Sequence, residues 1–334
     1  MLLSFLLLPM CLPAQQVGDS ESAPVIRAIE VHRFDIFDPS EATGIIPRLA
    51  NGLHVTTREF VVRRELLFRV GQPYDSARVA ETERNLRALG LFRRVVIDSV
   101  HTDSGLTVRV STHDGWSTKA DVRFRSTGDE VEYGIGFTEE NLAGTATLAS
   151  IRFRKTPDRT RLVFGFLQPR FIFRTMRLGV EYEDRSDGRI IAAQIGKPFY
   201  SLSQRESLLL FFDDRDERIL RFFNGEDDPS DSLRRRHTLL RMDGALALRA
   251  GRAGYTRLGF VGQVRREDFV PAGLTGVVFP STTTGAIGPT LEWRRARFVV
   301  TEGFLGFGRE QDVDESTLER VGLLAAPAAF GYER

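Results

Sequence analysis

From about residue 117 onward, the sequence is a succession of short stretches in which apolar and charged residues alternate. In one of them, Leu162, Phe164 and Phe166 would lie on one face of a strand, with Arg161 and Val163 on the other. About eleven such stretches lie between residues 117 and 327, each roughly nine to twelve residues long, which is near the length that a tilted strand needs to cross a bilayer. This period of two predicts a large antiparallel sheet with one apolar face.

The same alternation recurs along the chain. The further apolar sets are Leu178, Val180 and Tyr182, then Leu240, Met242, Leu246 and Leu248, then Leu258, Phe260 and Val264. Their opposite faces carry Arg177, Glu181 and Glu183, then Arg241, Asp243 and Arg249, then Arg257, Gln263 and Arg265. Arginines among acidic residues can form ion-pair networks inside a barrel, whereas an arginine facing lipid would be costly. The pattern favours a transmembrane β-barrel, and a soluble all-β domain remains the alternative.

Composition narrows the possible functions. The chain has 46 basic and 45 acidic residues, so its net charge of +1 gives no reason to expect nucleic-acid binding. No G-x-S-x-G elbow, P-loop or H-E-x-x-H motif is present, and the histidines are scattered. We therefore expect no enzymatic activity, no cofactor and no metal site.

The chain begins with a short apolar stretch, which predicts a secretory signal peptide over residues 1–14. A buried N-terminal strand is the alternative. The only cysteine, Cys11, lies in this stretch, in a poor lipoprotein context. Without it the chain would contain no cysteine, which excludes disulfides and thiol catalysis.

A small αβ module is predicted over residues 25–114, directly before the alternating strands of residues 116–334. It starts with a strand at residues 25–31 and a long loop at residues 35–55. Thr56 and Glu59 fit a capping box that would start a first helix, and Asp75 can cap a second helix that ends at Gly90. Strands at residues 92–100 and 106–110 complete the order β-α-α-β-β.

Two motifs in this module resemble a known domain. They are R-E-L-L-F-x-x-G-x-P-Y-D at residues 64–75 and E-R-N-L-R-A-L-G-L-F at residues 83–92. Both resemble the POTRA (polypeptide-transport-associated) domain, in which Gly71, Leu86, Gly90 and Phe92 would be the structural positions.

The strands that follow resemble the start of the barrel in the BamA/TamA family of outer-membrane assembly proteins. The residues that carry this resemblance are Glu140-Asn141-Leu142-Ala143-Gly144 and Gln168-Pro169-Arg170-Phe171. Asn141, Gly144, Pro169 and Phe171 would be the structural positions of these motifs. The late V-R-G-F-type element and the C-terminal aromatic residue of that family are absent, and bacterial barrels usually have an even number of strands. We therefore expect a POTRA domain followed by a truncated transmembrane β-barrel.

The resemblance implies a function in the outer membrane, with the POTRA domain in the periplasm. It implies partners of three kinds: unfolded outer-membrane or secreted polypeptides, outer-membrane lipid including lipopolysaccharide, and periplasmic proteins or lipoproteins. A client strand would be bound by β-augmentation along Arg93, Arg94, Val95, Val96, Ile97 and Asp98. A secretion channel of the two-partner type and a passive surface barrel or pore are the alternatives.

Turn lengths predict the orientation of the strands. The short turns at residues 138–144, 168–175 and 249–255 would be periplasmic, and the longer polar segments 213–233 and 267–285 would be extracellular loops. The acidic runs 213–217 and 226–228 fall in the first of these loops, where exposure to solvent is a better interpretation than a calcium site. His113 and Asp114 are predicted to form a turn at the end of the αβ module.

Overall fold

The computed structural model describes residues 23–37, 40, 44–103, 105–128, 130–172, 175–222, 224–225, 231–271, 280–302 and 310–330. The predicted signal peptide, the acidic run 226–228 and residues 331–334 lie outside these ranges.

The αβ module consists of three strands and three helices. In chain order they are β1 (Ile26–Phe34), α1 (Ile45–Leu53), α2 (Glu59–Glu65), α3 (Ser76–Ala88), β2 (Phe92–Thr102) and β3 (Gly105–Asp114). The strand order in the sheet is β1-β3-β2, with β1 parallel and β2 antiparallel to the central β3. Helix α1 lies in the segment that was predicted to be a long loop.

The core of the module forms where the helices cover the sheet. Ile26, Val62, Leu86 and Val108 are fully buried there, and Phe92 is almost fully buried. Gly71 and Gly90 have positive φ angles of 86° and 72°, which explains why glycine follows α2 and α3 at these positions. Leu86 and Phe92, two of the predicted structural positions, both lie in this core.

The predicted cap of α3 is present, but that of α2 is wrong. The Asp75 carboxylate accepts hydrogen bonds from the backbone N–H groups of Ala77 and Arg78, at 2.9 and 3.4 Å. The Thr56 hydroxyl instead donates to Asp35, and α2 begins after Arg58 without a side-chain cap. The reason is that residues 56–58 follow an extended path along the large sheet, as described below.

Thirteen strands are present among the described residues of the second part of the chain. They are β4 (Thr118–Thr127), β5 (Glu130–Glu139), β6 (Leu148–Lys155), β7 (Thr160–Phe171), β8 (Met176–Arg185), β9 (Gly188–Lys197), β10 (Glu206–Arg221), β11 (Asp231–Gly251), β12 (Gly254–Pro271), β13 (Thr282–Arg295), β14 (Phe298–Glu302), β15 (Glu310–Asp314) and β16 (Thr317–Gly322). Eleven of them form one antiparallel sheet in the order β16-β13-β12-β11-β10-β9-β8-β7-β6-β5-β4. Strands β14 and β15 pair only with each other, as a hairpin inserted between β13 and β16.

One face of the eleven-stranded sheet is apolar and exposed on every strand from β4 to β13, and on β16. A single register row across adjacent strands illustrates this: Phe166 pairs with Val180, Val180 with Ala193, Ala193 with Phe212 and Phe212 with Leu240. Leu240 is 57% exposed and Val122 on β4 is 76% exposed. The alternation predicted from the sequence is confirmed, and it produces a continuous apolar surface far larger than a soluble monomer normally exposes.

The opposite face carries the ion pairs that the arginine-rich pattern predicted. Arg185 lies 2.6 Å from Glu183 and 2.7 Å from Glu217, and Arg235 bonds to Glu267 and approaches Glu217. These side chains are mostly shielded from solvent, because neighbouring strands bring opposite charges together. Because successive side chains of a strand point to opposite faces, the charged residues lie on one face of the sheet and the apolar residues on the other.

The predicted long loop over residues 213–233 is wrong. Strands β10 and β11 pair without interruption from Glu206↔Leu246 to Arg221↔Asp231, so the acidic run 213–217 belongs to β10. Its charges are matched by arginines across the strand pair, including the Arg234 guanidinium, which donates to both oxygens of Asp216 at 2.6 and 2.8 Å. The segment 267–285 is likewise shortened at both ends, by β12 and β13.

The sheet is open. Within the described residues, β4 and β16 are its two edges and do not pair with each other. The predicted fold class is therefore confirmed as an α+β module followed by a large antiparallel barrel-type sheet that is not closed, consistent with a truncated barrel. Among the described helices, none is long and apolar enough to cross a membrane.

The apolar face makes a direct prediction about lipid. Leu240→Arg should lower the free energy of unfolding of the protein in phospholipid vesicles by about 2–4 kcal/mol, because it places a charge in the middle of this face. Leu239→Arg is the matched control, since Leu239 lies on the charged face opposite Asp213. Urea titration followed by Trp293 fluorescence measures both variants, and equal stabilities would show that the apolar face does not contact lipid.

Candidate functional site

The αβ module packs against one end of the large sheet. Within the described residues, three connections between strands reach it, at residues 140–147, 198–205 and 252–253, and Arg170 near the end of β7 reaches it too. The turns predicted to be periplasmic therefore lie at the end of the sheet that contacts the module. This junction is the candidate functional site, because residues of the recognised motifs of both parts of the chain meet there.

A buried carboxylate organises the junction. Asp114, at the end of β3, is fully buried, and its Oδ2 accepts hydrogen bonds from the backbone N–H and the hydroxyl of Thr57, at 2.6 and 2.9 Å. The same oxygen lies 2.8 Å from Nε2 of His54, whose side chain is also buried. The prediction that His113 and Asp114 form a turn is wrong, since both belong to β3. Asp114 joins the last strand of the module to the segment between α1 and α2.

Asn141 extends this network into the sheet. Its side-chain N–H donates to the Thr57 hydroxyl at 2.9 Å, and its side-chain oxygen accepts from the backbone N–H of Ala146 at 2.9 Å. Asn141 is 3% exposed, so both ends of its amide are satisfied within the protein. The structural role predicted for Asn141 is therefore a hydrogen-bonded link between the two parts of the chain.

Gly144 is placed where a side chain would collide with the module. Its carbonyl accepts a hydrogen bond from the Arg58 N–H at 2.8 Å, and its φ is 72°. A Cβ at this position would lie 2.7 Å from the carbonyl oxygen of Thr56. The close approach of two backbones explains why glycine occupies this position.

The second sheet motif also lies at the junction. The Gln168 amide donates to the Thr147 hydroxyl at 2.7 Å, and Arg170 donates to the buried carboxylate of Glu65 in α2 at 2.6 Å. The pairing of β7 with β8 is shifted between Gln168 and Phe171, and Pro169 lies within this irregularity, where a missing backbone N–H can be accommodated. The motif thus turns Arg170 towards the module.

Helix α3 makes a further contact, with the connection between β9 and β10. The Glu81 carboxylate accepts a hydrogen bond from the Leu202 backbone N–H. Burial raises the pKa of Glu81 above its ordinary value, although the Leu202 N–H and nearby arginines act in the opposite direction. Near Leu202, the Arg257 guanidinium lies between the rings of Phe199 and Tyr255, 3.4 Å from each centroid.

The predicted client-binding strand is an edge of the module's sheet. Along β2 the side chains of Val95 and Ile97 are buried, whereas Arg94, Val96 and Asp98 are exposed. Arg93 is half-buried and takes part in interactions of its own. Strand β2 therefore has the position that strand addition requires, at its side facing away from β3.

This edge is not entirely free, however. The backbone N–H of Ile97 points away from β3 and donates to the carboxylate of Glu83 in α3, at 2.8 Å. A charged side chain on an edge donor is one way in which proteins protect an edge strand from unwanted pairing. An added strand would have to displace Glu83.

Several residues at the junction were not anticipated from the sequence. Glu83 lies inside the POTRA-like motif, but nothing in its spacing indicates that its carboxylate accepts a hydrogen bond from the edge of β2. His54 and Thr57 lie 60 and 57 residues before Asp114 in the sequence. Two residues of the first recognised motif, Arg64 and Glu65, contact Arg170 of the Q-P-R-F motif. In the described part of the chain, no group of three or more His, Cys, Asp or Glu side chains is arranged to hold a metal ion.

Comparison with known proteins agrees with the organisation seen here. Residues 49–112 match the family model of the POTRA domain, described as surface antigen variable number repeat. No curated protein matches the chain. Among solved structures, the chain is similar to the crystal structure of BamA from Haemophilus ducreyi lacking POTRA domains 1-3, with 11% sequence identity and a TM-score of 0.39 over 87% of this chain and 72% of that one.

The family match confirms the predicted POTRA domain. The predicted resemblance to BamA/TamA proteins is confirmed at the level of organisation: a POTRA domain is followed by a large antiparallel sheet. Together the domain match and the apolar face of the sheet support an outer-membrane protein.

The Asp114 network predicts a loss of stability that can be measured. Asp114→Ala leaves the Thr57 N–H and His54 without their buried acceptor, so we expect it to lower the free energy of unfolding of the POTRA domain by about 2–4 kcal/mol. Asp98→Ala is the control and should change it by less than about 0.5 kcal/mol, because Asp98 is exposed. Urea unfolding followed by Trp116 fluorescence, in a Trp293→Phe background, measures both variants. Unfolding of both at the same urea concentration would contradict the role of Asp114.

Gly144 predicts a different pair of variants. Gly71→Ala and Gly144→Ala both force alanine into a left-handed conformation, at a cost of about 1–2 kcal/mol. Only Gly144→Ala adds a collision with the Thr56 carbonyl, since no atom lies within 4 Å of a Cβ at Gly71. Gly144→Ala should therefore be clearly more destabilising in the same Trp116 experiment, and equal effects would show that the junction tolerates a side chain at Gly144.

Proposed function

We propose that this protein resides in the outer membrane and assists the insertion or translocation of polypeptides there. In this proposal residues 1–14 are a signal peptide, residues 25–114 are a periplasmic POTRA domain, and residues 116–334 form part of a barrel in the membrane. The clients are unfolded outer-membrane or secreted polypeptides. Membrane lipid, including lipopolysaccharide, surrounds the apolar face, and periplasmic proteins or lipoproteins are further partners.

The observation that carries this proposal is the position of β2. It is an edge strand of the POTRA sheet, and the domain is held against the end of an apolar-faced sheet by Asp114, Asn141 and Arg170. A client strand added to β2 would be bound through its backbone, with little demand on its sequence. It would then lie beside the connections that lead into the large sheet.

The donors available to a client follow from the Ile97 contact. Because donors along a strand alternate between its two sides, the N–H groups of Val95, Ile97 and Ser99 point away from β3, while those of Val96 and Asp98 point towards it. Proline at Ser99 would remove an outward donor without breaking the pairing with β3. Proline at Val96 would damage the domain itself.

This alternation gives the first test of the proposal. Ser99→Pro should weaken capture of a urea-denatured outer-membrane barrel protein by the full chain in detergent, by several-fold, because one backbone hydrogen bond is lost. Ser99→Ala is the matched control and should bind like the unsubstituted protein. Client capture that is unchanged in Ser99→Pro would rule out β2 as the binding strand.

A depletion experiment separates this function from its alternatives. Removal of the protein from cells should lower the amounts of several folded outer-membrane proteins, measured by their heat-modifiable migration on gels. Loss of a single secreted protein would instead indicate a dedicated secretion channel. Membrane conductance without any effect on other outer-membrane proteins would indicate a passive pore.

A further inference from the structure

The hairpin formed by β14 and β15 lies against the POTRA domain instead of joining the large sheet. It is inserted between β13 and β16, at the end of the sheet that contacts the domain. Its strand β15 faces α3 and the beginning of β2. The hairpin therefore occupies space next to the strand that we propose as the client-binding edge.

The contact is made by charges that alternate along β15. Glu310, Asp312 and Asp314 are two residues apart, so their side chains share one face of the strand. Asp312 accepts two hydrogen bonds from the Arg87 guanidinium, at 2.7 and 2.9 Å, and both side chains are largely buried. Glu310 lies 3.9 Å from Arg94 of β2.

The POTRA side of this contact is basic. Arg84 and Arg87 lie one turn apart on α3, and the guanidinium of Arg84 stacks on the ring of Phe298 in β14, 4.8 Å from its centroid. Burial tends to lower the pKa of Arg87, but the hydrogen bonds and charge of Asp312 outweigh it and raise the pKa. The surface thus combines three arginines that an acidic strand can pair with.

The contact combines charged side chains with apolar ones such as Phe298 and Val313, and it leaves a cavity. A cavity of about 740 Å³ lies between α3, the hairpin and the sheet, bordered by charged side chains such as Arg84, Arg87 and Asp312. Charged contacts around a cavity can separate in water at much lower cost than a buried apolar core, as in transient interfaces between domains. The proposal below requires the hairpin to leave this surface while the domain stays folded.

The occupied surface is connected to the β2 edge through Glu83. Its carboxylate bonds to the Ile97 N–H at 2.8 Å and lies 3.8 Å from Arg87. Asp312 and Glu83 thus both interact with the same guanidinium. When Asp312 leaves, Arg87 is free to attract Glu83, which uncovers the outward donor of Ile97.

We propose that the surface formed by Arg84, Arg87 and Arg94 is a binding site for an extended acidic strand, and that β15 is its intramolecular occupant. The hairpin has to leave before another strand can bind there. Its effect on clients rests on the proposed function of β2, whereas the recognition of an acidic strand does not.

The test uses a fluorescein-labelled peptide with the sequence of residues 310–316, E-Q-D-V-D-E-S, and the full chain in detergent. In Asp312→Arg the hairpin loses its pair with Arg87, so the peptide should bind about 30-fold more tightly than to the unsubstituted protein. Asp312→Asn, which keeps the size of the side chain, should act in the same direction with a smaller effect. Glu315→Arg is the matched control, because Glu315 pairs with Arg297 within the hairpin's own base, and it should bind like the unsubstituted protein.

A charge exchange distinguishes loss of the pair from misfolding. The double variant Arg87→Glu, Asp312→Arg restores the pair with reversed signs, so protection of the hairpin from limited proteolysis, lost in Asp312→Arg, should return. Equal binding to the unsubstituted protein and to Asp312→Arg would overturn the proposal, and so would the absence of binding to both.

The outcomes also separate this inference from the proposed function. Peptide binding to Asp312→Arg together with client capture that is insensitive to Ser99→Pro would support the acidic-strand site and reject β2 as the client edge. The reverse combination would reject the acidic-strand site alone.

Discussion

The buried carboxylate of Asp114 is the interaction on which the organisation of this protein depends. One oxygen, Oδ2, accepts from the Thr57 backbone and hydroxyl and lies beside His54, and the Thr57 hydroxyl in turn accepts from Asn141 of the large sheet. Burying a carboxyl group in this way costs free energy, which these hydrogen bonds offset. The last strand of the POTRA domain, the segment before α2 and the first connections of the sheet are therefore fixed together by a few polar atoms. These polar contacts hold the domain against the end of the sheet.

The period of two was the most reliable information in the sequence. It can be used without knowing which strands are neighbours, because the alternation within each strand shows which residues share a face. The apolar sets around Phe164, Val180, Leu240 and Phe260 accordingly all lie on the exposed face, and the charged sets lie on the other. Local signals were also reliable where a single residue determines the backbone, as with Asp75 at the start of α3 and Gly90 after its end.

Features that depend on residues far apart in the sequence were predicted wrongly or not at all. Thr56 and Glu59 have the spacing of a capping box, but the adjoining Thr57 and Arg58 bind to Asp114 and Gly144, which the local sequence does not reveal. The run 213–217 is polar enough to be taken for a loop, yet it is a strand because arginines of β11 lie opposite. The contacts of Glu83 with Ile97 and of Arg87 with Asp312 could not be found either, since they depend on how β2 and the hairpin are placed around α3.

The nature of these last contacts bears on how a protein could bind strands repeatedly. An edge strand that is covered by apolar side chains is protected, but uncovering it means exposing that apolar area to water. Uncovering an edge that is covered by a carboxylate costs much less free energy, because water solvates the released N–H and the released carboxylate. Glu83 covers the Ile97 N–H in this second way. Glu83 and Asp312 both interact with the guanidinium of Arg87. In the proposed function, this arrangement protects β2 while no strand is bound, and a strand that brings its own backbone acceptors and its own negative charge reverses it.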